Sequence, residues 1–564
     1  MNRGRGLTIG LALLAILTAI VWRAGVFGSS DTPGASTTAK AGPDDIAVSF
    51  AYSPEKERLL VPLIAAFNQQ RDEVNGHRVV VTGQVVSSGD AAARIADDRL
   101  QPTVWSPSSS LWGRVLNYDR DRSPVVVGDL NPSLVRTPLV IAMWEPLARA
   151  LGWPKKPIGW ADILAQARSA RGWAAYGHPE WGRFKLGHTN PDFSTSGLSA
   201  VAAEYLTATG KTEGLSVADV GRPDVRAAVR AIETSIVHYG DTTLFFAERL
   251  AEFGPGYASA VAMEETTLLD FNERLATDAG QRLAAIYPKE GTFESDNPLI
   301  ILNAPWVSAD QREGANRLLA FLAGKVTAEL AGQFGFRPPS PAAQPSARIG
   351  AANLVDPSQP KRRLVLPQPD VLNAIRKAWR LDRKPANVLL VVDVSGSMND
   401  EGRLEAAKGG LDRFLTILQP QDEVGLTIFN SNITPLEPPT ALRTSRAALR
   451  KLVKQLIADG GTRLYDATEQ GVKALRTSAS AKSISAVVVL SDGEDTASTT
   501  GLTKLLGDLG AGGSEDVVRV FTIAYGSSAA REPLAQIARA GRGKAYVGST
   551  DTIDQVYTQI ASFF

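Results

Sequence analysis

The feature that most constrains the fold is an unbroken aliphatic run at residues 388–392, Val-Leu-Leu-Val-Val, followed directly by Asp393. An apolar run of this length without alternation is typical of a parallel strand that is buried on both faces. A second run at residues 486–490 ends in the same way, with Ser491 and Asp492. Two such strands predict an open α/β sheet, in which ligand sites lie at the carboxyl ends of the strands.

Oxygen-bearing side chains follow both strands. Ser395 and Ser397 alternate after Asp393, and Thr462 lies in a Gly-Gly-Thr loop that precedes a predicted helix. Such residues also cap helices and form turns, but their joint placement favours a binding site. Carboxylate and hydroxyl oxygens bind hard divalent cations such as Mg²⁺, Mn²⁺ or Ca²⁺. Because most of these oxygens are neutral, the cation would remain able to accept a carboxylate from another molecule.

The order Asp-x-Ser-x-Ser, a distant Thr and a distant Asp resembles the metal-ion-dependent adhesion site of the von Willebrand factor A family. The family pattern maps without departure onto five positions of this sequence, which are Asp393, Ser395, Ser397, Thr462 and Asp492. The resemblance covers residues 385–564. It implies a doubly wound, Rossmann-like domain that holds Mg²⁺, or Mn²⁺ or Ca²⁺, and a protein partner that offers an Asp or Glu to the metal.

The N-terminal segment predicts the cellular location. Arg3 and Arg5 precede an apolar stretch at residues 7–27, which we interpret as a transmembrane signal anchor behind a cytoplasmic tip at 1–6. A cleaved signal peptide remains the alternative, because the stretch is slightly short for a membrane span. Residues 28–45 are rich in Gly, Ser, Thr and Pro and predict a disordered tether. In either case we expect a single-pass or secreted protein whose bulk lies outside the cytoplasm.

Length and composition narrow the remaining choices. A chain of 564 residues exceeds what one hydrophobic core usually holds, so several structural units are expected. The formal net charge of +1 gives no basic field that would attract nucleic acid. The absence of cysteine excludes disulfides, zinc–thiolate sites, cysteine nucleophiles and lipidation at an N-terminal cysteine.

Residues 46–340 predict a second α/β unit. Strand patterns at 46–51 and 78–84 each end in a Ser-rich turn, and a helical pattern with apolar residues at helical spacing separates them. A further apolar strand is predicted at 139–143. Strands that alternate with helices in this way indicate a doubly wound arrangement.

Several short segments of this unit resemble bacterial extracytoplasmic solute-binding proteins of the type 2 periplasmic class. They include Ser-Ser-Gly at 87–89, Thr-Asn-Pro at 189–191 with Ser-Thr-Ser-Gly at 194–197, and Phe-Gly-Phe-Arg-Pro at 334–338. The resemblance implies two lobes that close over a small-molecule or anion ligand. The residues implied to line the cleft are Ser53, Ser87, Ser88, Thr189, Ser194, Thr195 and Ser196, with Tyr287 nearby. Because Ser and Thr commonly cap helices, a domain without a small ligand remains the alternative.

Residues 341–384 are predicted to link the two domains. The first part is rich in Pro, Ala and Ser and is typical of a semi-rigid spacer. A short helix is predicted at 371–380, with Val371, Leu372, Ile375 and Trp379 on one face. We expect that face to pack against one of the two domains.

The sequence favours a binding protein over an enzyme. None of its four histidines stands in a metal-ligand pair spacing or beside a nucleophile motif, and the adjacent Glu264 and Glu265 are interpreted as a solvated helix face. We therefore predict a membrane-anchored, extracytoplasmic binding or adhesion protein without a catalytic site. The alternatives are the substrate-binding receptor of an ABC-type transporter and a non-catalytic regulator of a cell-envelope enzyme.

Overall fold

The computed structural model describes residues 39–121, 124–128, 131–276, 281–511 and 518–564. The predicted signal anchor at 7–27 lies outside the described residues. Within those residues, no helix is both long and apolar enough to cross a membrane.

Strands and helices alternate through most of the N-terminal domain. The strands are β1 (Ile46–Tyr52), β2 (Glu73–Val74), β3 (His77–Val85), β4 (Val104–Ser106), β5 (Thr137–Trp144), β6 (Leu186–His188), β7 (Ala260–Glu264), β8 (Leu283–Ile286), β9 (Glu294–Ser295) and β10 (Ile300–Ile301). The helices are α1 (Glu57–Gln70), α2 (Ser88–Ala96), α3 (Leu111–Arg120), α4 (Glu145–Ala150), α5 (Trp160–Arg168), α6 (Thr195–Thr209), α7 (Val217–Gly221), α8 (Pro223–Glu233), α9 (Thr243–Phe253), α10 (Glu265–Asp270), α11 (Ala309–Lys325) and α12 (Ala328–Gln333).

These strands form two separate sheets, one in each lobe. In the first lobe the order is β10-β4-β1-β3-β2, and β1 is parallel to both β3 and β4, as the strand–helix alternation predicts. In the second lobe the order is β6-β7-β5-β8, and β5 is antiparallel to β7 and β8. Because β6 is parallel to β7, the second sheet is mixed. The continuous apolar run of β5 does not reveal its antiparallel pairing, because burial on both faces is compatible with either direction.

The C-terminal domain is built on one continuous sheet. Its strands are β11 (Ala386–Asp393), β12 (Glu423–Phe429), β13 (Ile433–Ala441), β14 (Ile484–Ser491), β15 (Arg519–Tyr525) and β16 (Ala545–Gly548). Its helices are α14 (Arg403–Ile417), α15 (Leu442–Lys454), α16 (Leu464–Arg476), α17 (Leu502–Gly510), α18 (Arg531–Ala540) and α19 (Ile553–Ala561), and they follow α13 (Pro369–Asp382) of the linking segment. The strand order is β13-β12-β11-β14-β15-β16. Strands β11 and β14 are parallel neighbours with every residue buried, as their aliphatic runs predict.

The segment between the domains lies against the N-terminal domain rather than free in solvent. The backbone N–H groups of Ala285 and Thr292 in that domain donate hydrogen bonds to the carbonyl oxygens of Leu354 and Arg362, at 3.0 and 3.1 Å. Ile349 and Val355 of the segment are buried. The Pro-rich segment is therefore packed on the N-terminal domain and is not the semi-rigid spacer that its composition predicted. The sequence did not reveal this, because the contacts come from residues distant in the sequence.

The predicted helix at 371–380 is confirmed, and α13 extends it at both ends. The expected apolar face is buried against α3, α6, α7 and α8 of the N-terminal domain. Ion pairs strengthen this contact, because the buried carboxylate of Asp382 accepts hydrogen bonds from Arg226 at 2.7 Å and Arg230 at 2.6 Å. Asp192 likewise accepts hydrogen bonds from Arg380 at 2.6 and 2.8 Å.

Direct contacts also join the two domains. Beside them, Arg383 of the linking segment forms a buried ion pair with Asp422 of the C-terminal domain at 2.6 Å. The side-chain amide of Asn190 donates to the carbonyl oxygen of Ser562 at 3.1 Å, and the backbone N–H of Tyr239 donates to that of Phe563 at 3.3 Å. The last residues of the C-terminal domain therefore pack into the second lobe.

We expect Asp382→Ala to lower the free energy of unfolding by about 1–3 kcal/mol, because it removes the buried carboxylate that two arginines share. The measurement is denaturant-induced unfolding of the chain. Lys377→Ala, an exposed change on the same helix, is the matched control. Equal midpoints for the two variants would contradict a stabilising role for Asp382.

Candidate functional site

The five predicted metal ligands lie at the carboxyl edge of the C-terminal sheet. Val392 of β11 is paired with Leu490 of β14, so Asp393 and Ser491 follow at neighbouring strand ends. The chain continues from β11 to β12 on one side and later returns to β14 on the other. This reversal of strand order creates a crevice between the two strand ends, where open α/β sheets place ligands.

Asp393 is fully buried in this crevice. Its Oδ1 accepts the backbone N–H of Ser395 at 2.8 Å, and its Oδ2 accepts the hydroxyl of Ser491 at 2.6 Å. Burial raises the pKa of Asp393 to about 6, and the charge of Asp492 acts in the same direction, whereas the hydrogen bonds from both serines oppose it. The carboxylate is thus held in a fixed orientation in an environment that disfavours an uncompensated charge.

The other four residues lie close by. The hydroxyls of Ser395 and Ser397 are 3.2 Å apart, and Ser397 donates to Oδ1 of Asp492 at 2.8 Å. The Oγ of Ser397 and the Oγ1 of Thr462 are each 3.8 Å from the point where a Cβ on Gly493 would lie. The structure therefore brings together oxygen atoms from three loops that are distant in the sequence.

Backbone hydrogen bonds hold these loops together. The N–H of Gly396 donates to the carbonyl oxygen of Gly460 at 3.0 Å. Gly460 has a φ of +74°, a left-handed conformation that glycine adopts without strain. The N–H of Thr462 donates to the hydroxyl of Thr496 at 2.9 Å, and the N–H of Thr496 returns a bond to the carbonyl oxygen of Thr462 at 2.9 Å.

Arg403 is a neighbour of this site that the sequence motif did not indicate. Its Nη1 lies 2.9 Å from Oδ2 of Asp492, and its Nη2 lies 3.0 Å from Glu401. The guanidinium partly neutralises Asp492, so the crevice carries less negative charge than its two aspartates suggest. A set of oxygen donors alone, with this modest net charge, fits a hard divalent cation.

A second candidate site is a small polar pocket between the two lobes of the N-terminal domain. It is lined by Ser53, Pro54, Glu55, Ser87, Ser88, Ser108, Ser194, Asp241, Thr242, Thr243, Leu244 and Glu264. Four of the residues implied by the sequence resemblance, Ser53, Ser87, Ser88 and Ser194, are among them. The lobes also touch beside the pocket, where the N–H of Gly89 donates to the carbonyl oxygen of Phe193 at 2.8 Å.

The other four implied residues do not line this pocket. Thr189 and Ser196 share a buried hydrogen bond of 2.8 Å. Thr195 accepts the indole N–H of Trp112 at 2.8 Å, which joins the second lobe to the first. Tyr287 donates its hydroxyl proton to Glu265 instead.

Carboxylates give the pocket a character that the sequence analysis missed. Glu55 accepts hydrogen bonds from the hydroxyls of Ser53 at 2.5 Å and Ser108 at 2.8 Å. Glu264 accepts one from Thr243 at 2.7 Å, and burial together with the charge of Glu55 raises its pKa to about 7.

The interpretation of Glu264 and Glu265 as a solvated helix face was wrong, because both are buried. Glu264 ends a fully buried strand and faces the pocket, whereas Glu265 forms an ion pair with Arg337 at 2.7 Å. The buried strand that precedes the pair was the signal that could have indicated this.

Asp241 connects the pocket to the C-terminal domain. Its Oδ2 lies 3.3 Å from the ammonium of Lys544. Its Oδ1 is buried and has no hydrogen-bond partner among the described residues, although the side chain lines the pocket. A buried carboxylate oxygen without a partner is costly, so this atom is suited to accept a hydrogen bond from a bound solute.

Two family models match the chain. Residues 48–337 match the bacterial extracellular solute-binding protein family, and residues 388–494 match the von Willebrand factor type A domain. The resemblances drawn from the sequence motifs are therefore confirmed, as is an α/β architecture with one domain of each kind.

Among individual relatives, an uncharacterized protein of Mycobacterium tuberculosis is 23% identical over 81% of this chain and 68% of its own length. The mouse calcium-activated chloride channel regulator 3A-1 is 31% identical over 31% of this chain. The chain spans about a fifth of the length of the first curated relatives it matches, 18% in that case. A solved periplasmic thiamin binding protein is 10% identical, with a TM-score of 0.44 over 61% of this chain and 98% of that one.

We expect Glu264→Gln to raise the thermal midpoint of the ligand-free chain at pH 8 by a few degrees, but much less at pH 5. The folded protein keeps a proton on Glu264 up to a pH of about 7, whereas the unfolded chain releases it near 4.5. The stability of the wild-type chain therefore decreases as the pH rises from about 4.5 to about 7, and glutamine removes that decrease.

The measurement is differential scanning calorimetry at both pH values, with Glu213→Gln, an exposed change, as the control. A difference between Glu264→Gln and wild type that stayed constant with pH would contradict the shift.

Proposed function

The chain belongs to the bacterial extracellular solute-binding protein family, and we propose that it is a membrane-anchored, extracytoplasmic binding and adhesion protein without catalytic activity. The apolar stretch at 7–27 would anchor it. The C-terminal domain would engage a protein partner through a divalent cation, and the cleft between the lobes would bind a small solute.

The convergence of five oxygen-bearing residues at one strand edge carries the adhesion proposal. Asp393, Ser395, Ser397, Thr462 and Asp492 would hold Mg²⁺, or Mn²⁺ or Ca²⁺, directly or through water. The buried Asp393 supplies a fixed charge, and the neutral hydroxyls leave the site short of full charge compensation.

The bound cation supplies a coordination position for a carboxylate of the partner. Ser397 is partly exposed, whereas the other four residues are buried, so a partner would approach beside Ser397. Gly493 is also partly exposed there, and a Cβ on it would lie 3.8 Å from the hydroxyl oxygen of Ser397. The absence of a side chain on Gly493 keeps the approach open.

We expect Asp393→Ala to weaken Mg²⁺ and Mn²⁺ binding by more than about 100-fold, because it removes the central carboxylate of the site. Isothermal titration calorimetry measures the affinity, and circular dichroism checks that the variant is folded. Asp400→Ala, an exposed change in the loop after Ser397, is the control and should keep wild-type affinity. A folded Asp393→Ala chain with wild-type affinity would contradict the proposed site.

A second candidate function, the substrate-binding receptor of an ABC-type transporter, is favoured by the pocket between the lobes. Its hydroxyls can bind a polar solute, and the carboxylates of Glu55 and Asp241 favour a solute that carries positive charge. The same carboxylates weigh against the anion that the sequence resemblance allowed. We therefore propose a small cationic or hydroxyl-rich ligand for the pocket.

We expect cationic probes to raise the thermal midpoint of the chain, and Asp241→Asn to reduce that rise, because the substitution removes a charge that lines the pocket. Putrescine and choline are the probes, glucose tests a neutral polyol, and inorganic phosphate tests an anion. Asp224→Asn, an exposed change on α8, is the control. Stabilisation by phosphate that Asp241→Asn strengthens would contradict the proposed ligand class.

A further inference from the structure

A buried group of three side chains lies in the second lobe, apart from both sites above. His188 ends β6, Glu204 lies in the middle of α6, and Glu233 ends α8, and all three have no solvent exposure. Ligand atoms of the three, one per residue, lie within 4.8 Å of one another. We propose that these residues bind a divalent transition-metal ion of the Zn²⁺ type that stabilises the second lobe.

Glu204 provides the strongest reason. Both of its carboxylate oxygens are buried, and neither has a hydrogen-bond partner among the described residues. The great majority of buried polar atoms are paired, and an isolated buried carboxylate is among the most costly groups a protein can contain. A cation bound between Glu204 and its neighbours would supply the missing partner.

The orientation of His188 supports the same interpretation. Its Nδ1 lies 2.7 Å from the backbone carbonyl oxygen of Thr189, which can only accept, so Nδ1 carries a proton. Metal-binding histidines commonly donate one ring N–H to a carbonyl or carboxylate in this way and present the other nitrogen to the metal. Here the other nitrogen, Nε2, lies 3.1 Å from Oε1 of Glu233.

A proton on Nε2 is the competing explanation, and it is incomplete. It would pair His188 with Glu233 but leave both oxygens of Glu204 without a partner. A divalent cation satisfies all three residues at once. Two carboxylates, one neutral imidazole and one dication also sum to zero charge, which is the arrangement that burial tolerates best.

Further contacts fix the second carboxylate. The hydroxyl of Tyr239 donates to Oε2 of Glu233 at 2.6 Å, so Oε1 is the oxygen left to face His188. The same hydroxyl accepts the backbone N–H of Lys384 at 3.1 Å, just before β11. An ion at this position would therefore stabilise the lobe where it contacts the C-terminal domain.

The ligand atoms distinguish this site from the proposed cation site at the carboxyl edge of the C-terminal sheet, which we call the strand-edge site. One imidazole nitrogen with carboxylate oxygens suits Zn²⁺ and related transition metals, whereas Mg²⁺ and Ca²⁺ prefer oxygen alone. A water molecule or a second oxygen of Glu204 would complete four-coordination. The proposal is independent of the function proposed for the strand-edge site.

The test uses the full chain with Asp393→Ala, so that a cation at the strand edge does not enter the count. This parent chain is stripped with a chelator, dialysed against Zn²⁺ and then against metal-free buffer, and analysed by mass spectrometry for metal content. We expect one Zn²⁺ per chain and a higher thermal midpoint than that of the stripped parent. X-ray absorption should show nitrogen and oxygen ligands at about 2.0–2.2 Å.

Glu204→Gln in the same background should lose both the ion and the rise in midpoint, whereas Glu213→Gln, an exposed change, should keep them. Without metal, Glu204→Gln should be at least as stable as the stripped parent, because glutamine has nearly the same shape and places no ionisable group in this buried position. That comparison separates loss of the site from unfolding. A stripped parent that takes up no ion, or a folded Glu204→Gln chain that retains it, would overturn the proposal.

Discussion

The burial of Asp393 is the constraint on which the proposed adhesion site depends. A carboxylate at the tip of a fully buried strand has little contact with water, so its charge must be balanced by what surrounds it. The N–H of Ser395 and the hydroxyl of Ser491 provide part of that balance and fix both oxygens. A divalent cation at the mouth of the crevice would provide the rest.

The two domains form a continuous body through the second lobe. Asp241 of the solute pocket contacts Lys544 of the C-terminal domain, and Asn190, two residues from the end of β6, bonds to Ser562. Helix α13 of the linking segment packs its apolar face against the N-terminal domain. One wall of the pocket therefore belongs to the lobe that contacts the C-terminal domain.

The sequence could place the five proposed metal ligands because their positions follow from local rules. A residue directly after an aliphatic strand lies at the carboxyl edge of the sheet, so Asp393 and Asp492 could be placed without tertiary information. The pocket was predicted only in part. Ser53 and Ser88 follow strands of the first lobe, but Glu55 and Asp241 meet only when the lobes come together, and spacing alone cannot show this.

The buried groups were the hardest to anticipate. Glu204 and Glu233 lie on different helices, and His188 stands alone in the sequence, so no motif connects them. The docking of the Pro-rich segment and the antiparallel pairing of β5 were not predicted for the same reason, since both depend on contacts between distant segments.

Binding of a partner's carboxylate through a cation in the C-terminal domain is best tested by capturing envelope proteins on the immobilised full chain. The capture would be run in Mg²⁺, in a chelator, and with Asp393→Ala in Mg²⁺. We expect a partner that is retained only by the wild-type chain in Mg²⁺ and is released when the chelator is added. A set of partners that is the same under all three conditions would contradict it.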